Sequence, residues 1–499
     1  MNFFKDVLEK IAALSTAVGA LGSNQTFTAT ETEVCVAGDV AVMETSGGVI
    51  PFSSLEPTKV TEIGGELDTV IGGNDKDLAV DWITDNAAVY AYRDVTVSNN
   101  GTVTPVRLEA DGSTIIGSNF IFSAVDATTD IDISSINNGR LALTYVHTAT
   151  IKAKAGQLNS ETLYISFGAE AELEAVDSDH NAICQTDDDK FAVIYADATN
   201  SDGNVIVSTV NSSTLAITTG TKATVGAGDI TDISACKVTT DKIACAYEDQ
   251  GADTDGFSNI ITTVDIDNVV VGNAIEFNDA ITYKTAITAL DTTHIVIFYG
   301  DGGDNVVGKA ICASISGTIP TYGSAVQLSE GTDNALSCNC VAINSAYFLA
   351  VWDNYIDSKT GFSVSSVSGT TITAGTRKYL ANDFIPENIH GSQLSINSYN
   401  DITCFGIVSS VTYAMFMDVG WVDDTLILTD ISGVVEDDSG TIIVDGIDEG
   451  NASGEDSKLT YFWDGRYKCV RKKTHSCQYP GYVPRVRVLD ADCLKAIGG

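Results

Sequence analysis

Residues 242–249 read KIACAYED, an apolar run that ends in an aromatic residue and has an acidic residue two positions later. Similar stretches recur along the chain, and their aromatic residues are Tyr92, Tyr145, Tyr195, Tyr247, Tyr299, Trp352 and Phe405. The successive gaps are 53, 50, 52, 52, 53 and 53 residues. A period of this length, with several strand signals in each unit, is typical of a β-propeller in which each repeat forms one four-stranded sheet.

The repeat around Tyr247 predicts four strands, at 230–238, 242–248, 257–265 and 268–276. The second strand of a repeat, such as FAVIYA at 191–196, is apolar at nearly every position. Both faces of such a strand must be buried, which radial stacking of sheets provides and an exposed antiparallel sheet does not. The sequence therefore predicts an all-β fold, a seven-bladed β-propeller of about 52-residue repeats.

Two flanking pieces surround the propeller, which we place at 59–432. The first piece, 1–58, begins with apolar residues at alternating spacings of three and four, which is typical of a coiled-coil seam: Phe4, Val7, Ile11, Leu14, Val18 and Leu21. This pattern predicts a short helix that makes the protein an oligomer, and the alternative is an amphipathic helix docked on its own propeller. A small hairpin is predicted at 34–52. The second piece, 433–499, is predicted to be a β-rich C-terminal extension.

The net charge of −40 is unevenly distributed. Segment 458–489 has eight Lys or Arg residues and one acid, which leaves 19 bases and 66 acids elsewhere, a net charge of −47. An acidic body repels nucleic acid and anionic membranes, and the chain has no apolar run of 18 residues, so we expect neither nucleic-acid binding nor membrane insertion. The basic segment also has six aromatic residues, and we expect it to dock on an acidic surface.

Most of the eleven cysteines lie inside predicted strands, where reduced cysteine acts as a small apolar residue. Cys338 and Cys340 form a C-x-C pair, which is a weak metal signal. In the basic tail, two alternatives stay open: a zinc site or a Cys469–Cys477 disulfide. The residues concerned are Cys469, His475, Cys477 and Cys493.

The sequence has no G-x-S-x-G, no H-E-x-x-H and no phosphate-binding glycine loop, so we expect a protein that is not an enzyme. Acidic residues are concentrated in the loops between second and third strands: Asp197, Asp202, Asp249, Asp253, Asp255, Asp301 and Asp304. In such loops Asp first of all stabilises turns. The other interpretation is a rim that binds a glycan or calcium, the one cofactor that this pattern allows. The nearest approach to a calcium loop has Asp197, Asn200, Asp202 and Asn204, but it lacks a bidentate Glu.

The N-terminal heptads, the hairpin sequence GDVAVMETSGGVIPF at 38–52 and the tandem repeats resemble the fibre-type structural proteins of tailed bacteriophages, which are appendages of the head, neck or tail. The resemblance covers about residues 1–430, and the seventh repeat departs from it because Phe405-Gly406-Ile407 has no Asp. It implies a virion appendage that is trimeric, held to other virion proteins by its N-terminus and exposed on the particle, where it attaches to a glycan or protein of the host surface.

The competing hypothesis is a secreted, lectin-like or carbohydrate-active β-propeller. Such a protein should have a leader peptide. Asp6, Glu9 and Lys10 interrupt the stretch that would have to be the apolar core of a leader, so the sequence favours the virion appendage.

Overall fold

The computed structural model describes residues 76–397 except for short gaps, and beyond that range it describes mainly the backbone of individual strands. The gaps are 96–97, 109–113, 125–127, 138, 176–177, 179, 252–253, 332–334, 336, 355–358 and 380–393. The predicted helix at 1–22, its six seam residues and the four Cys and His residues of the tail lie outside the described residues, so these interpretations stay predictions.

The strands before the repeats are β1 (Thr28–Ala29), β2 (Ala41–Met43), β3 (Gly48–Pro51) and β4 (Lys59–Leu67). β2 and β3 pair as an antiparallel hairpin at the place where the sequence predicts one, and β1 pairs with β3 in parallel.

Six sheets of five strands follow. Sheet 1 contains β5 (Lys76–Thr84), β6 (Ala87–Asp94), β7 (Asn100–Leu108), β8 (Thr114–Ile116) and β9 (Phe120–Ser123). Sheet 2 contains β10 (Thr128–Ser135), β11 (Arg140–His147), β12 (Ile151–Asn159), β13 (Tyr164–Phe167) and β14 (Ala171–Glu174). Sheet 3 contains β15 (Asn181–Asp187), β16 (Lys190–Asp197), β17 (Asp202–Val210), β18 (Ile217–Thr219) and β19 (Ala223–Gly226).

Sheet 4 contains β20 (Ile230–Thr239), β21 (Lys242–Asp249), β22 (Asp255–Asp265), β23 (Asn268–Val271) and β24 (Ile275–Asn278). Sheet 5 contains β25 (Thr282–Ala289), β26 (His294–Asp301), β27 (Val307–Ser316), β28 (Ile319–Tyr322) and β29 (Val326–Gln327). Sheet 6 contains β30 (Cys338–Asn344), β31 (Tyr347–Asn354), β32 (Lys359–Ser368), β33 (Thr371–Thr373) and β34 (Lys378–Tyr379).

Sheet 7 combines both ends of the repeat region, because β35 (Leu394–Ile396), β36 (Asp401–Val408) and β37 (Val411–Gly420) are completed by β4 from the N-terminal side. In the register of this pairing, Lys59 lies opposite Gly420. Two further hairpins follow, β38 (Val434–Glu436) with β39 (Ile442–Val444) and β40 (Ser457–Lys458) with β41 (Arg471–Lys472).

Within each of sheets 1 to 6 the first four strands are neighbours in chain order and antiparallel, as the sequence predicts. The fourth strand differs from the prediction, since in sheet 4 the continuous strand expected at 268–276 is divided into β23 and β24, which both pair with β22. The break lies at Gly272, whose backbone N–H donates to Ile260 O over 2.9 Å. β23 and β24 both run antiparallel to β22, so the chain keeps its direction across this interruption.

The sheets stack radially, with the first strand of each sheet beside the first strand of the next. Side chains on four of these strands accept hydrogen bonds from the neighbouring backbone. The pairs are Asp81 Oδ2 with Ser135 N (2.7 Å), Asp132 Oδ2 with Ile183 N (2.9 Å), Ser234 Oγ with Ile287 N (3.1 Å) and Thr288 Oγ1 with Ala342 N (3.0 Å). Repeated antiparallel sheets whose first strands line a common centre define a β-propeller.

Sheet 7 lies against sheet 1 through the same kind of contact. Ser395 Oγ accepts a hydrogen bond from Trp82 N over 3.3 Å and donates one to Asp81 Oδ1 over 2.5 Å. Asn397 Nδ2 donates to Asp85 O over 2.8 Å. The first and last sheets are therefore in direct contact, although their residues are more than 300 positions apart.

The second strands form the core, as their apolar sequences predict. The repeated aromatic residues from Tyr92 to Trp352 are at most 1% exposed. The six cysteines of the described region are unpaired, and all but Cys236 are buried. They therefore act as core residues, as the sequence predicts. The domain boundaries 59–432 and 433–499 stay predictions.

Glycines at equivalent positions separate the two halves of the fourth strand in sheets 1 to 6: Gly117, Gly168, Gly220, Gly272, Gly323 and Gly375. A Cβ atom on Gly272 would lie only 2.6 Å from Thr318 O, in the turn between the third and fourth strands of sheet 5. The turn of the next sheet also approaches the equivalent glycines of sheets 1, 2, 3 and 5. The absence of a side chain at this position thus allows adjacent sheets to meet at the outer edge.

We expect Gly272→Ala to lower the free energy of unfolding by about 1–3 kcal/mol, because the new methyl group must push two backbone segments apart. A matched control is Gly331→Ala, since Gln327 Nε2, at 4.0 Å, is the one atom of the described residues that lies near a Cβ at this exposed loop glycine. Urea denaturation followed by tryptophan fluorescence measures both variants. Equal midpoints for Gly272→Ala and wild type would show that the outer contact of the sheets can shift with no loss in the free energy of unfolding.

Candidate functional site

The two faces of the propeller differ in what they carry. One face carries the loops from second to third strands and the connections from each sheet to the next. We call it the loop face. The opposite face carries the turns from first to second and from third to fourth strands. Gly420 ends a third strand, and Lys59 pairs with it, so both flanking pieces join the ring at the opposite face, at one edge of sheet 7.

Asp197 lies on the loop face, where its carboxylate is used inside the turn after β16. Its Oδ1 accepts from Thr199 N (3.0 Å) and Asn200 N (3.2 Å), and its Oδ2 accepts from Asn200 Nδ2 over 2.8 Å. Asp202 pairs with Asp197 across the hairpin, and Asn204 is buried with its Oδ1 accepting from Thr224 Oγ1. These bonds are turn and core interactions, and a calcium role for this loop stays a prediction.

Asp249 and Asp301 have similar turn functions. Asp249 Oδ1 accepts from Gly251 N over 2.9 Å, and Asp301 Oδ1 accepts from Gly303 N over 2.9 Å as the cap of the 3₁₀ turn Gly302–Asp304. Lys309 Nζ lies 2.7 Å from Asp301 Oδ2 and 3.0 Å from Asp304 Oδ2, so this pair of acids already has an internal cation. Asp253 lies outside the described residues.

Asp255, one of the acidic residues predicted for the loop face, lies close to two other carboxylates. Oxygen atoms of Asp255, Glu276 and Asp279 all lie within 4.8 Å of one another. We call this group the rim carboxylates. Burial and the charges of Asp279 and Asp255 raise the pKa of Glu276. Three carboxylates at this spacing are a donor set that suits a hard divalent cation such as Ca²⁺.

Sequence reasoning missed Glu276 and Asp279 because they come from the fourth strand and from the loop to the next sheet. The register explains their position, since Glu276 pairs with Phe257 and Asn278 pairs with Gly256, close to the start of the third strand. The fourth strand of a repeat ends at the loop face, so acidic residues at its end, such as Glu276 and Asp279, could have been predicted to lie there.

A second charged group joins sheets 4 and 5 near the start of their first strands. Asp232 and Lys284 both have positive φ angles, 49° and 40°, within irregularities of the strand register. Lys284 Nζ lies 2.6 Å from Asp232 Oδ1, and Lys284 N donates to Asp232 Oδ2 over 3.2 Å. Burial opposes ionisation of Asp232, but the charge and hydrogen bonds of Lys284 outweigh it and lower the pKa of this carboxyl.

Glu248 lies beside this ion pair and is only 5% exposed. It accepts hydrogen bonds from Thr231 Oγ1 (3.2 Å) and Gln250 Nε2 (2.7 Å). Burial, and then the charge of Asp232, raise the pKa of Glu248 to about 7. Two carboxyls with separated pKa values are a pattern also found in acid–base catalysis. Here, however, Lys284 engages one carboxyl and burial restricts access to the other.

No family model matches the chain, and no curated protein matches it. Several solved structures are similar at low identity, and the following three are examples. A fungal lectin from Aleuria aurantia with a six-bladed propeller is 11% identical, with a TM-score of 0.39, over 64% of this chain and 97% of the lectin. The BP39L lectin from Burkholderia pseudomallei is 10% identical, with a TM-score of 0.47, over 70% and 96%. A putative 6-phosphogluconolactonase from Bacteroides uniformis is 11% identical, with a TM-score of 0.45, over 67% and 100%.

The fold of this chain is defined by its own sheet topology and not by these similarities. Within the described part of the chain, no helix has the length and apolar character needed to cross a bilayer.

Glu248 should make the stability of the protein depend on pH. Because folding raises its pKa from 4.5 to about 7, the native state retains a proton that the unfolded chain loses. The contribution of this residue to stability is therefore complete below about pH 4.5 and is lost as the pH rises through about 7. In wild type we expect this group to lower the free energy of unfolding by on the order of 1–3 kcal/mol as the pH rises from about 5 to 8. In Glu248→Gln this decrease should be absent.

The comparison of wild type with Glu248→Gln by urea denaturation at several pH values isolates this effect, because the other acids titrate in both chains. Glu172→Gln is the matched control, since Glu172 is exposed. A difference between wild type and Glu248→Gln that stays constant from about pH 5 to 8 would contradict the proton assignment.

Proposed function

We propose that the protein is a non-enzymatic, seven-bladed β-propeller that binds glycans of a surface through its loop face. The observation that carries this proposal is the opposition of its two faces. Both flanking pieces join the ring at one edge of the opposite face, away from the loop face. Loops held by a rigid sheet scaffold are the usual place for a binding site.

A ring of seven blades is supported by the contact between the first and last sheets. The first strands of sheets 1 to 7 neighbour one another in order, and β35 neighbours β5. Ser395 and Asn397 supply hydrogen bonds across this junction, and β4 completes the last sheet. We therefore place the closure of the ring at sheet 7, where strands from both ends of the repeat region pair.

A glycan suits the chemistry of the loop face better than an anionic ligand does. The body has a strongly negative charge and repels nucleic acid and anionic lipid. Neutral sugars offer hydroxyl groups, which donate hydrogen bonds to carboxylates and amides and can also bind a shared Ca²⁺. In the described residues the rim carboxylates bring three carboxylate oxygens within 4.8 Å of one another.

A glycan array probed with the full chain tests this proposal. We expect binding in the presence of millimolar Ca²⁺ and at least about tenfold weaker binding for the double variant Asp255→Asn, Asp279→Asn, because a hard cation depends on its carboxylate ligands. A chelator should weaken wild type to a similar extent. The control is Asp241→Asn, since Asp241 is exposed in a turn on the opposite face. Failure of the wild-type chain to bind any sugar, with or without Ca²⁺, would contradict the proposal.

A second candidate function, compatible with the first, is the virion appendage that the sequence resemblance implies. The specific observation in its favour is that the 58 residues before β4 and the 79 residues after β37 enter and leave at the same corner of the ring. An appendage held by this corner would present its loop face to a host surface. We propose that residues 1–58 form a trimer and contact other virion proteins.

A chain that starts at Thr58 tests the oligomer, because this cut removes the predicted helix and retains β4 in sheet 7. We expect light scattering to give a trimer for the full chain and a folded monomer for the shorter chain. The physical reason is that the seam at Phe4 to Leu21 buries its apolar side chains only between chains. Two monomeric chains would remove the proposal of a coiled coil.

A further inference from the structure

The outer edge of sheets 1 and 2 exposes an unusual amount of apolar surface. Of eight large apolar side chains exposed in the described residues, four lie here, namely Ile115 (42%), Ile116 (44%), Ile121 (49%) and Tyr164 (58%). Phe120 packs edge-on against Tyr164 with ring centroids 5.3 Å apart. We call these five residues the outer apolar patch. A contiguous set of exposed apolar side chains usually marks a contact surface.

The ring contact of Phe120 with Tyr164 joins the two sheets within the patch. A Cβ on Gly117, which follows Ile116, would lie 2.9 Å from Cβ of Leu163, the residue before Tyr164. Among the described strands, β8 and β9 pair only with β7, so their other edge has no partner strand there. An edge strand with exposed apolar side chains is a template for an added strand.

The chain itself supplies a segment that fits this edge. Residues 485–489 read RVRVL, an alternation of basic and apolar residues that is typical of a strand with one apolar face. Nearby residues add aromatic side chains, including Tyr461, Phe462, Trp463 and Tyr482. The whole of 458–489 has a net charge of +7 against a net charge of −47 elsewhere, so electrostatic attraction favours its return to the body.

The position and length of the connection allow this contact. Ile115 and Ile116 pair with Arg107 and Val106 near the end of a third strand, and Gly420 ends the third strand of sheet 7, which contacts sheet 1. The connection contains the hairpin of β38 and β39, and its remaining residues, 421–433 and 445–456, can span up to about 80 Å when extended. The propeller body has an expected radius of gyration of only roughly 21 Å.

Two other occupants fit less well. The N-terminal piece 1–58 has two bases and seven acids, so the negative body repels it. A second copy of the propeller has the same negative charge. We propose that the basic segment 458–489 docks on the outer apolar patch of its own chain and adds a strand to the edge formed by β8 and β9.

Limited trypsin digestion of the full chain tests this docking, because the segment contains eight Lys and Arg residues. We expect the double variant Ile116→Ser, Tyr164→Ser to increase the initial rate of cleavage within 458–489 by about tenfold, as the segment spends more time undocked. High salt should also accelerate cleavage of wild type by screening the attraction. The matched control is Val270→Ser, Ile319→Ser, which changes equally exposed residues on the outer strands of sheets 4 and 5.

Equal cleavage rates for wild type and both double variants would overturn the proposal. Carboxylate-to-lysine cross-linking of a mixture of isotopically labelled and unlabelled chains gives a second readout. Links from the basic segment to Glu161, which is exposed beside Tyr164, should be within one chain. Links formed only between chains would show that the segment of another copy occupies the patch, and protection of the patch by residues 1–58 would show that the N-terminal piece does. Either result would overturn the proposal. Unchanged melting temperatures would show that the surface variants are folded.

Discussion

The hydrogen bonds between neighbouring first strands are the constraint on which the rest of the structure depends. A side chain such as Asp132 accepts from the backbone of the next sheet, Ile183 N, and so fixes both the distance and the register between two sheets. A buried backbone N–H must be satisfied, and here the partner comes from a different repeat. These polar contacts thus set the spacing and register at their junctions, while apolar packing of the second strands supplies most of the stability.

This arrangement leaves some positions of the repeat free to vary. The residue after the repeated aromatic is Arg93, Val146, Ala196, Glu248, Gly300 or Asp353 in the first six repeats. Arg93 Nε lies 2.9 Å from Asp77 Oδ2, and Glu248 lies beside Asp232, so this position can hold either sign of charge next to the start of a first strand. One scaffold therefore presents chemically different surroundings at equivalent places on the loop face.

The sequence was sufficient to predict the repeat, the strand order and the burial of Tyr247, because these follow from local patterns that recur with a fixed period. It was not sufficient for the group of Asp255, Glu276 and Asp279, since their proximity depends on the register between a third strand and a divided fourth strand. The Asp232–Lys284 pair was missed for a related reason, because it joins two repeats through residues of positive φ. The turn role first expected for Asp197 agrees with the structure, in which both of its carboxylate oxygens accept hydrogen bonds inside the turn.

During synthesis, β4 cannot pair with β37 until most of the chain has been made. The two strands are separated by about 360 residues, so β4 leaves the ribosome long before its partner exists. At 5–20 residues per second the delay is roughly 20 to 70 s. Throughout this interval the nascent chain exposes a nine-residue strand with no neighbour, which another nascent chain could capture. This topology therefore favours exchange of β4 between chains while its own partner strand is missing. The observable sign of such exchange is slow refolding that depends on protein concentration.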